Sequence, residues 1–244
     1  MKRYANLKNQ ISNFYLSQLS EGKLILSSKE SHHCIRSLRH QINDIITIVD
    51  GNGKSAQARI LDDNPKNCKI EVFRIETHKL EVSNKIHIAI APTKNIKRFE
   101  WFMEKAMEIG IGKVTPIICQ NSERRTINTD RLKQKALTAL KQSLQTFLVE
   151  INDPVFVDEF ILRNDSGGKF ICHLNEDSFP DFKEYIPEKN GYNIMIGPEG
   201  GFTEEEIQLA ESHKFKKVSL GDKRYRTETA GILACHIVNL LHYD

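Results

Sequence analysis

The chain lacks the features that mark membrane, secreted or zinc-stabilised proteins. No apolar run approaches the roughly 18 residues that a membrane span needs, and the basic segment at residues 1–14 has no apolar core of a secretory signal. The five cysteines are widely spaced, without a C-x-x-C pair or a Cys/His cluster at zinc spacing. We therefore expect a cytoplasmic protein that holds no metal and whose cysteines are buried free thiols.

Charge of one sign is not in large excess either, since the formal net charge is only +3. The charge is nevertheless uneven: residues 1–76 carry 12 Lys and Arg against 8 Asp and Glu, whereas residues 77–244 carry 23 against 24. This asymmetry is compatible with a small basic module that meets phosphate, followed by a near-neutral module.

Residues 1–76 have the pattern of a small β-domain. The β-branched run Ile45 to Val49 precedes Asp50-Gly51-Asn52-Gly53, and a second run extends to Leu61. Asp-Gly and Asn-Gly supply the positive φ that hairpin turns need, so this segment predicts a β-hairpin. The stretch CKIEVFRIE, after Pro65, predicts a further strand, and together these segments predict a small β-barrel or sandwich.

The remainder of the chain alternates between strand and helix patterns. Residues 85–92 predict a strand, residues 95–110 a helix capped by Gly110, and residues 129–148 a long amphipathic helix. Further strands are predicted at KVTPIIC, KFICHL, YNIMIG and KKVSLG, with helices after the last two. This order predicts an α/β domain over residues 77–244, with a parallel sheet that has helices on both faces.

A glycine-rich segment, IGPEGGFTEEEI, follows one of the predicted strands. In parallel sheets ligands bind beyond the carboxyl ends of the strands, and residues 197–201, here called the glycine loop, permit close approach of a ligand to the backbone. Thr203 begins a capping box with Glu206. The segment has no lysine and matches neither G-x-x-x-x-G-K-[ST] nor G-x-G-x-x-G, which disfavours a nucleotide pyrophosphate. A tight turn that needs glycine only for its geometry fits the same pattern.

A second unusual loop, LGDKRYRTETAG, follows the last predicted strand. Residues 220–226, here called the arginine loop, include Lys223, Arg224 and Arg226, directly before an apolar helix. A charged loop that caps a helix would have the same composition. Only the combination of this loop with the glycine loop points to a specific function.

This combination resembles a known family. IGPEGGFTEEEI followed by LGDKRYRTETA resembles the signature of the RsmE-type ribosomal RNA methyltransferases, members of the SPOUT group. Residues 99–124, which end in Ser122-Glu123-Arg124, and the segment HHCIRSLRHQINDIITIVDGNG resemble other parts of that family. The resemblance implies a trefoil-knotted α/β domain over residues 77–244, preceded by a PUA-like RNA-binding barrel over residues 1–76.

The resemblance also implies an activity, a cofactor and partners. The activity is methylation of N3 of a uridine near the 3′ end of 16S rRNA in the small ribosomal subunit, with S-adenosyl-L-methionine as cofactor. A homodimer through the knotted domain is implied, with residues 232–241 of the final helix at the interface; core packing is the alternative for them. Glu199, Gly200 and Glu228 are expected to shape the knot. The implied cofactor-binding residues are Leu174, Ile196, Gly197, Glu199, Gly200, Gly201, Leu220, Gly221, Tyr225, Arg226, Glu228, Thr229 and Ala230.

Transfer to uridine N3 requires handling of a proton. N3 is protonated under neutral conditions, so either a base removes the proton or the site stabilises the anion. We expect Arg226 to orient the uracil or to stabilise its anionic form, with Arg224 as the second candidate catalytic residue. No general base is evident from the sequence.

RNA contacts are expected from basic side chains in both parts of the chain. As a set they could neutralise several phosphates and make binding salt-dependent, although each one alone could equally be a solvated surface charge. The expected RNA-binding residues are Arg3, Lys8, Arg36, Arg39, Lys94, Lys97, Arg98 and Arg124.

Two positions depart from the family pattern. Residues 141–145 read Lys-Gln-Ser-Leu-Gln where family members often have Glu-Gln-x-x-Arg, and Tyr225 stands where an aliphatic residue is common. The missing arginine puts in doubt any contact that it makes elsewhere in the family. Two other functions stay open: methylation of a different RNA such as tRNA, and RNA binding without catalysis.

Overall fold

The computed structural model describes residues 13–163, 166–173, 181–184 and 190–242. These residues divide into two compact units: those within 1–80 and 137–148 form the first, and those within 81–136 and 149–244 form the second. The sequence pattern assigned residues 137–148 to the second domain. Their place in the first unit is a long-range feature that local periodicity does not indicate.

A five-stranded sheet forms the first unit. Its strands are β1 (Phe14–Tyr15), β2 (Gly22–Ile25), β3 (Ile45–Val49), β4 (Lys54–Asp62) and β5 (Lys69–Thr77), in the order β1-β3-β4-β5-β2. The predicted hairpin is confirmed, because β3 pairs antiparallel with β4 along its whole length. Asp50 closes the turn, since its Oδ1 accepts the backbone N–H groups of Asn52 and Lys54 at 2.7 and 2.9 Å. Closure of this sheet into a barrel remains a prediction.

Residues 137–148 are fastened to this sheet by polar and backbone contacts. The Lys141 Nζ lies 2.7 Å from the Oε1 of Glu30, a buried residue of the short helix α1 (Ser28–His32). The backbone N–H of Leu148 donates to the carbonyl of Gly51 at 2.8 Å. Gly53 has a φ of 90°, and a Cβ there would collide with the ring of Phe147. These contacts explain why the segment belongs to the first unit.

A parallel sheet forms the second unit, as predicted. Its strands are β6 (Ile86–Ile90), β7 (Lys113–Ile118), β8 (Glu150–Ile151), β9 (Val155–Phe156), β10 (Gly168–Cys172), β11 (Tyr192–Ile196) and β12 (Lys216–Val218). The order is β12-β10-β11-β6-β7-β8, with β9 also paired to β7, and every described pairing is parallel. The central strands β6 and β11 are buried at all positions, as expected for strands covered on both faces.

Helices follow several of these strands. They are α2 (Ile96–Ile109), α3 (Thr129–Gln142), α4 (Val157–Leu162), α5 (Glu204–Ser212) and α6 (Thr227–Leu240). The predicted cap at Gly110 is confirmed, with a φ of 110° and its N–H bonded to the Ala106 carbonyl at 2.9 Å. The helix predicted to reach residue 148 ends instead at Gln142, because Leu144 adopts a φ of 58°, which a right-handed helix cannot contain.

Helix α6 packs closely on the centre of the second unit. A Cβ built on Gly231 would lie 2.7 Å from the Phe102 ring of α2 and 3.0 Å from Ile90 at the end of β6. Glycine at this position therefore lets α6 approach both elements. This contact places α6 next to the carboxyl end of β6. The candidate site lies at the carboxyl ends of the neighbouring strands.

Candidate active site

Loops that follow β10, β11 and β12 surround one cleft of about 690 Å³, within the size range of small-molecule sites. The cleft lies at the carboxyl ends of parallel strands, the position expected for ligand binding in such sheets. It is lined by Cys172, His173, Ile196, Gly197, Pro198, Glu199, Gly200, Gly201, Phe202, Leu220, Gly221, Lys223, Arg224, Tyr225, Arg226, Thr227 and Ala230.

The glycine loop has a backbone shape that depends on its glycines. Gly201 has a φ of 75°, and its N–H donates to the carbonyl of Pro198 at 2.9 Å. A Cβ on Gly200 would lie 3.1 Å from Asn121, and one on Gly197 would lie 3.0 Å from the Phe202 ring. Two of the three glycines therefore have neighbours close enough to crowd a side chain, and the third occupies the left-handed region that favours glycine.

The predicted capping box ends this loop and is confirmed. Thr203 Oγ1 accepts the N–H of Glu206 at 3.3 Å, and Glu206 Oε2 accepts the N–H of Thr203 at 2.8 Å. The other carboxylate oxygen of Glu206 accepts the N–H of Gln120 at 2.8 Å. One carboxylate thus fixes both the start of α5 and the loop that follows β7.

Neighbouring loops hold the glycine loop from outside the cleft. Asn121 Nδ2 donates to the carbonyls of Gly200 and Gly201 at 3.4 and 3.2 Å. The backbone N–H of Lys94, in the loop after β6, donates to Glu199 Oε1 at 3.0 Å. The loops after β6, β7 and β11 are therefore joined, and the cleft-lining backbone is held by hydrogen bonds.

The arginine loop is joined directly to the glycine loop. Thr227, the first residue of α6, donates from its Oγ1 to the carbonyl of Gly197 at 3.0 Å. Arg226 is the N-cap residue of α6, and its carbonyl accepts the N–H of Ala230 at 2.8 Å. The backbone of Arg226 is consequently fixed at the rim of the cleft, while its side chain remains exposed.

The structure brings most of the predicted site residues to the cleft. Glu228 and Thr229 do not line it, although Glu228 is buried nearby in α6, with its Oε1 3.8 Å from the Nε of Arg98. Leu174 lies outside the described residues. The predicted residues that line the cleft are Ile196, Gly197, Glu199, Gly200, Gly201, Leu220, Gly221, Arg224, Tyr225, Arg226 and Ala230.

Several cleft residues were not proposed as site residues from the sequence: Cys172, His173, Pro198, Phe202, Lys223 and Thr227. The available signals were the end of the predicted strand KFICHL and the lysine of the arginine loop. Burial raises the pKa of the Cys172 thiol, and burial together with the charge of Lys217 lowers the pKa of His173. Both side chains are therefore neutral at pH 7, which favours binding over nucleophilic chemistry.

Two carboxylate oxygens distinguish the surroundings of the cleft. Among the described residues, Glu199 Oε2 and Glu228 Oε2 are buried without a hydrogen-bond partner. A buried carboxylate oxygen without a donor is costly, and Glu199 is the one of these two residues that lines the cleft. S-adenosyl-L-methionine offers ammonium, amino and hydroxyl donors and an apolar adenine face. The carboxylate of Glu199 and the apolar side chains of Ile196 and Leu220 fit these groups.

The predicted RNA-binding residues have different surroundings. Arg36 and Arg39 are exposed in the first unit, and Lys94 and Lys97 are exposed in the second. Arg124 is only partly exposed, and its guanidinium donates to backbone carbonyls. Arg98 faces Glu228, as described above. Arg3 and Lys8 lie outside the described residues.

Metal clusters and membrane-spanning helices are absent from the described part of the chain. No group of three or more His, Cys, Asp or Glu side chains there could hold a metal ion. No described helix has the length and apolar character needed to cross a membrane.

Comparisons with known proteins match both parts of the chain. The RNA methyltransferase domain family matches residues 80–239, and the RNA methyltransferase PUA domain matches residues 26–73. A crystal structure named a probable rRNA-methyltransferase from Porphyromonas gingivalis is 33% identical, covers 94% of this chain and 98% of its own, and has a TM-score of 0.87.

Two further relatives carry a more specific name. Ribosomal RNA small subunit methyltransferase E from Neisseria gonorrhoeae, bound to S-adenosyl methionine, is 26% identical, with a TM-score of 0.84 and coverage of 95% of this chain and 98% of its own. The protein of that name from Buchnera aphidicola is 28% identical over 90% of this chain and 88% of its own. The chain therefore belongs to the RNA methyltransferase domain family.

Proposed function

We propose that this protein transfers a methyl group from S-adenosyl-L-methionine to N3 of a uridine near the 3′ end of 16S rRNA in the small ribosomal subunit. The observation that carries the proposal is the single cleft formed by the glycine loop and the arginine loop. The methyltransferase relatives, one of them named for its bound S-adenosyl methionine, support the donor and the ribosomal RNA target.

The cofactor supplies an electrophilic methyl group when it is bound. The residues of this chain bind and orient it: the glycine loop offers backbone groups, Ile196 and Leu220 offer apolar surface, and Glu199 offers a carboxylate oxygen that lacks a donor. The joined loops fix this arrangement before the ligand arrives. Such preorganisation limits the entropy that binding would otherwise cost.

The arginine loop provides the side chains that are proposed to act on the acceptor uridine. Arg226 and Arg224 both line the cleft, and a guanidinium beside the uracil would stabilise negative charge that develops when N3 loses its proton. Arg226 is the better candidate because its backbone is fixed at the start of α6. Arg224 lies earlier in the same loop, before the N-cap residue of α6.

The first unit is proposed to bind RNA. The match to the RNA methyltransferase PUA domain and the excess of basic over acidic residues in residues 1–76 support this role. Arg36 and Arg39 are exposed there and available to phosphates. Lys94 and Lys97 are exposed in the second unit and extend the same role to it.

The trefoil knot, the homodimer and a cytoplasmic location are further proposals. Helix α6 supports the dimer, because part of its apolar side is not covered: Leu240 is 53% exposed. The tie between Thr227 and the glycine loop is compatible with a knotted chain. A cytoplasmic location follows from the proposed ribosomal substrate.

Methylation assays with defined substrates test this function. The purified protein and S-adenosyl-L-methionine would be incubated with tRNA, naked 16S rRNA or assembled small subunits, and the nucleosides would be identified by mass spectrometry. We expect 3-methyluridine in 16S rRNA or small subunits. Product only in tRNA would favour the alternative target, and donor binding without any product would favour an RNA-binding protein without catalysis.

A further inference from the structure

We infer that Arg124 and Glu199 are positioning residues that act as one relay to hold the glycine loop in its donor-binding shape. The inference rests on the proposed function, since it assigns the donor to the cleft. It gives Arg124 a role different from the RNA contact expected from the sequence.

The side chain of Arg124 is committed to the loop that follows β6. Its Nε lies 3.1 Å from the carbonyl oxygen of Thr93 and 3.3 Å from that of Lys94, and its Nη2 lies 2.9 Å from the Lys94 oxygen. A guanidinium is a rigid planar fork, so donation to the carbonyls of Thr93 and Lys94 fixes the orientation of the peptide units on both sides of Lys94. These bonds are charge-assisted and therefore stronger than bonds between neutral groups.

The same peptide unit carries the link to the cleft. A trans peptide directs its C=O and its N–H in opposite directions, and the Thr93 carbonyl and the Lys94 N–H belong to one such unit. Arg124 donates to the carbonyl, while Glu199 Oε1 accepts the N–H at 3.0 Å. Hydrogen bonds in a chain polarise one another, so the guanidinium strengthens the bond that holds the carboxylate.

Glu199 transmits this restraint to the donor site. It lies in the middle of the glycine loop and lines the cleft. Its Oε1 is used by the relay, and within the described part of the chain its buried Oε2 has no donor. The relay therefore sets the orientation of a carboxylate in the wall of the cleft.

Calorimetry with S-adenosyl-L-methionine on the full-length protein tests the relay. We expect Arg124→Ala to weaken donor affinity about tenfold, the effect of losing a hydrogen bond to a charged group. Arg125→Ala is the matched control, because Arg125 donates only to the Gln120 carbonyl among the described contacts and lies outside the cleft. It should keep wild-type affinity. Arg124→Lys, which keeps the charge but loses the fork, should give an intermediate loss and serves if the alanine variant fails to fold.

Two readouts separate positioning from general damage. At saturating donor, Arg124→Ala should recover nearly the full kcat while its KM for the donor is raised; a lowered kcat at saturation would overturn the inference. The double variant with Glu199→Ala should bind the donor no more weakly than Glu199→Ala alone, because both residues act through one carboxylate. Additive losses would also overturn it.

RNA binding provides the opposing test. If Arg124 contacted a phosphate, Arg124→Ala would lower the salt dependence of RNA affinity by about one unit of log–log slope. We expect the wild-type slope. A lowered slope with unchanged donor affinity would return Arg124 to the RNA surface. Donor calorimetry does not depend on which nucleotide is methylated, so a wrong target would overturn the proposed function alone, whereas a wild-type protein that fails to bind the donor would overturn both.

Discussion

Two arginines of the cleft rim differ in how firmly the protein holds them. Arg226 is the N-cap residue of α6, its carbonyl bonds to Ala230, and the adjacent Thr227 is tied to Gly197. Arg224 lies two residues earlier, before α6 begins, and its side chain is exposed like that of Arg226. A group that stabilises a developing charge works best when its position is set beforehand. This difference makes Arg226 the proposed catalytic residue.

Replacement of Arg226 should therefore affect turnover more than binding. We expect Arg226→Ala to lower kcat about 100-fold at saturating donor and RNA, the scale of losing one preorganised donor to a developing anion. Arg224→Ala should lower it less. Arg125→Ala removes an equal charge outside the cleft and serves as the control. The turnover of all three variants would be measured by single-turnover methylation. Unchanged turnover of the Arg226 variant would remove this residue from the chemistry.

Some single residues of the site could be predicted from the sequence, and others could not. Most of the residues that line the cleft were named because the glycine and arginine loops are continuous segments that together resemble a family signature. The role of Arg124 could not be predicted, since its partners Thr93 and Lys94 are some 30 positions away and its basic character alone indicates a surface charge. Contacts of this kind depend on which strands become neighbours in the sheet.

Among the structural elements, the glycine loop has a sequence that fits two interpretations: a tight turn or a ligand-binding loop. Gly197 and Gly200 each have a neighbour within 3.1 Å of a Cβ position, so packing alone accounts for them. Gly201 is different: its φ is 75°, and a Cβ there would meet no described atom within 4 Å. A side chain at Gly201 would therefore extend into open space beside the cleft that this residue lines.

Alanine at Gly201 separates the two roles. Gly22 is the matched control, because it also has a positive φ, 100°, with no described atom within 4 Å of a Cβ. We expect Gly201→Ala and Gly22→Ala each to lower the free energy of unfolding by about 1–2 kcal/mol through left-handed strain. Only Gly201→Ala should weaken donor binding, measured by calorimetry. Equal donor affinities in both variants would reduce Gly201 to a turn residue.

The local sequence pattern predicted some element boundaries correctly and failed to predict others. The β3–β4 hairpin and the Thr203 capping box were predicted because their hydrogen bonds join residues close in sequence. The end of α3 at Gln142 was not, because the amphipathic pattern continues beyond it. Beyond Gln142 the chain turns at Leu144, which has a positive φ, and residues 146 and 148 then bond to Gly53 and Gly51 of the first unit.

For the molecule as a whole, two family models match two successive parts of the chain. Residues 26–73 match a PUA domain of RNA methyltransferases, and residues 80–239 match the methyltransferase domain itself. The parallel sheet could be predicted from alternating strands and helices. The strand order could not, because periodicity does not specify which strands are neighbours.

The central claim is that this protein methylates a uridine of 16S rRNA at N3. Mass spectrometry of 16S rRNA from cells with and without the protein tests it most directly. We expect that one 3-methyluridine near the 3′ end disappears without the protein, returns with the wild-type chain and does not return with Arg226→Ala. A uridine methylation pattern that is unchanged by removal of the protein would contradict it.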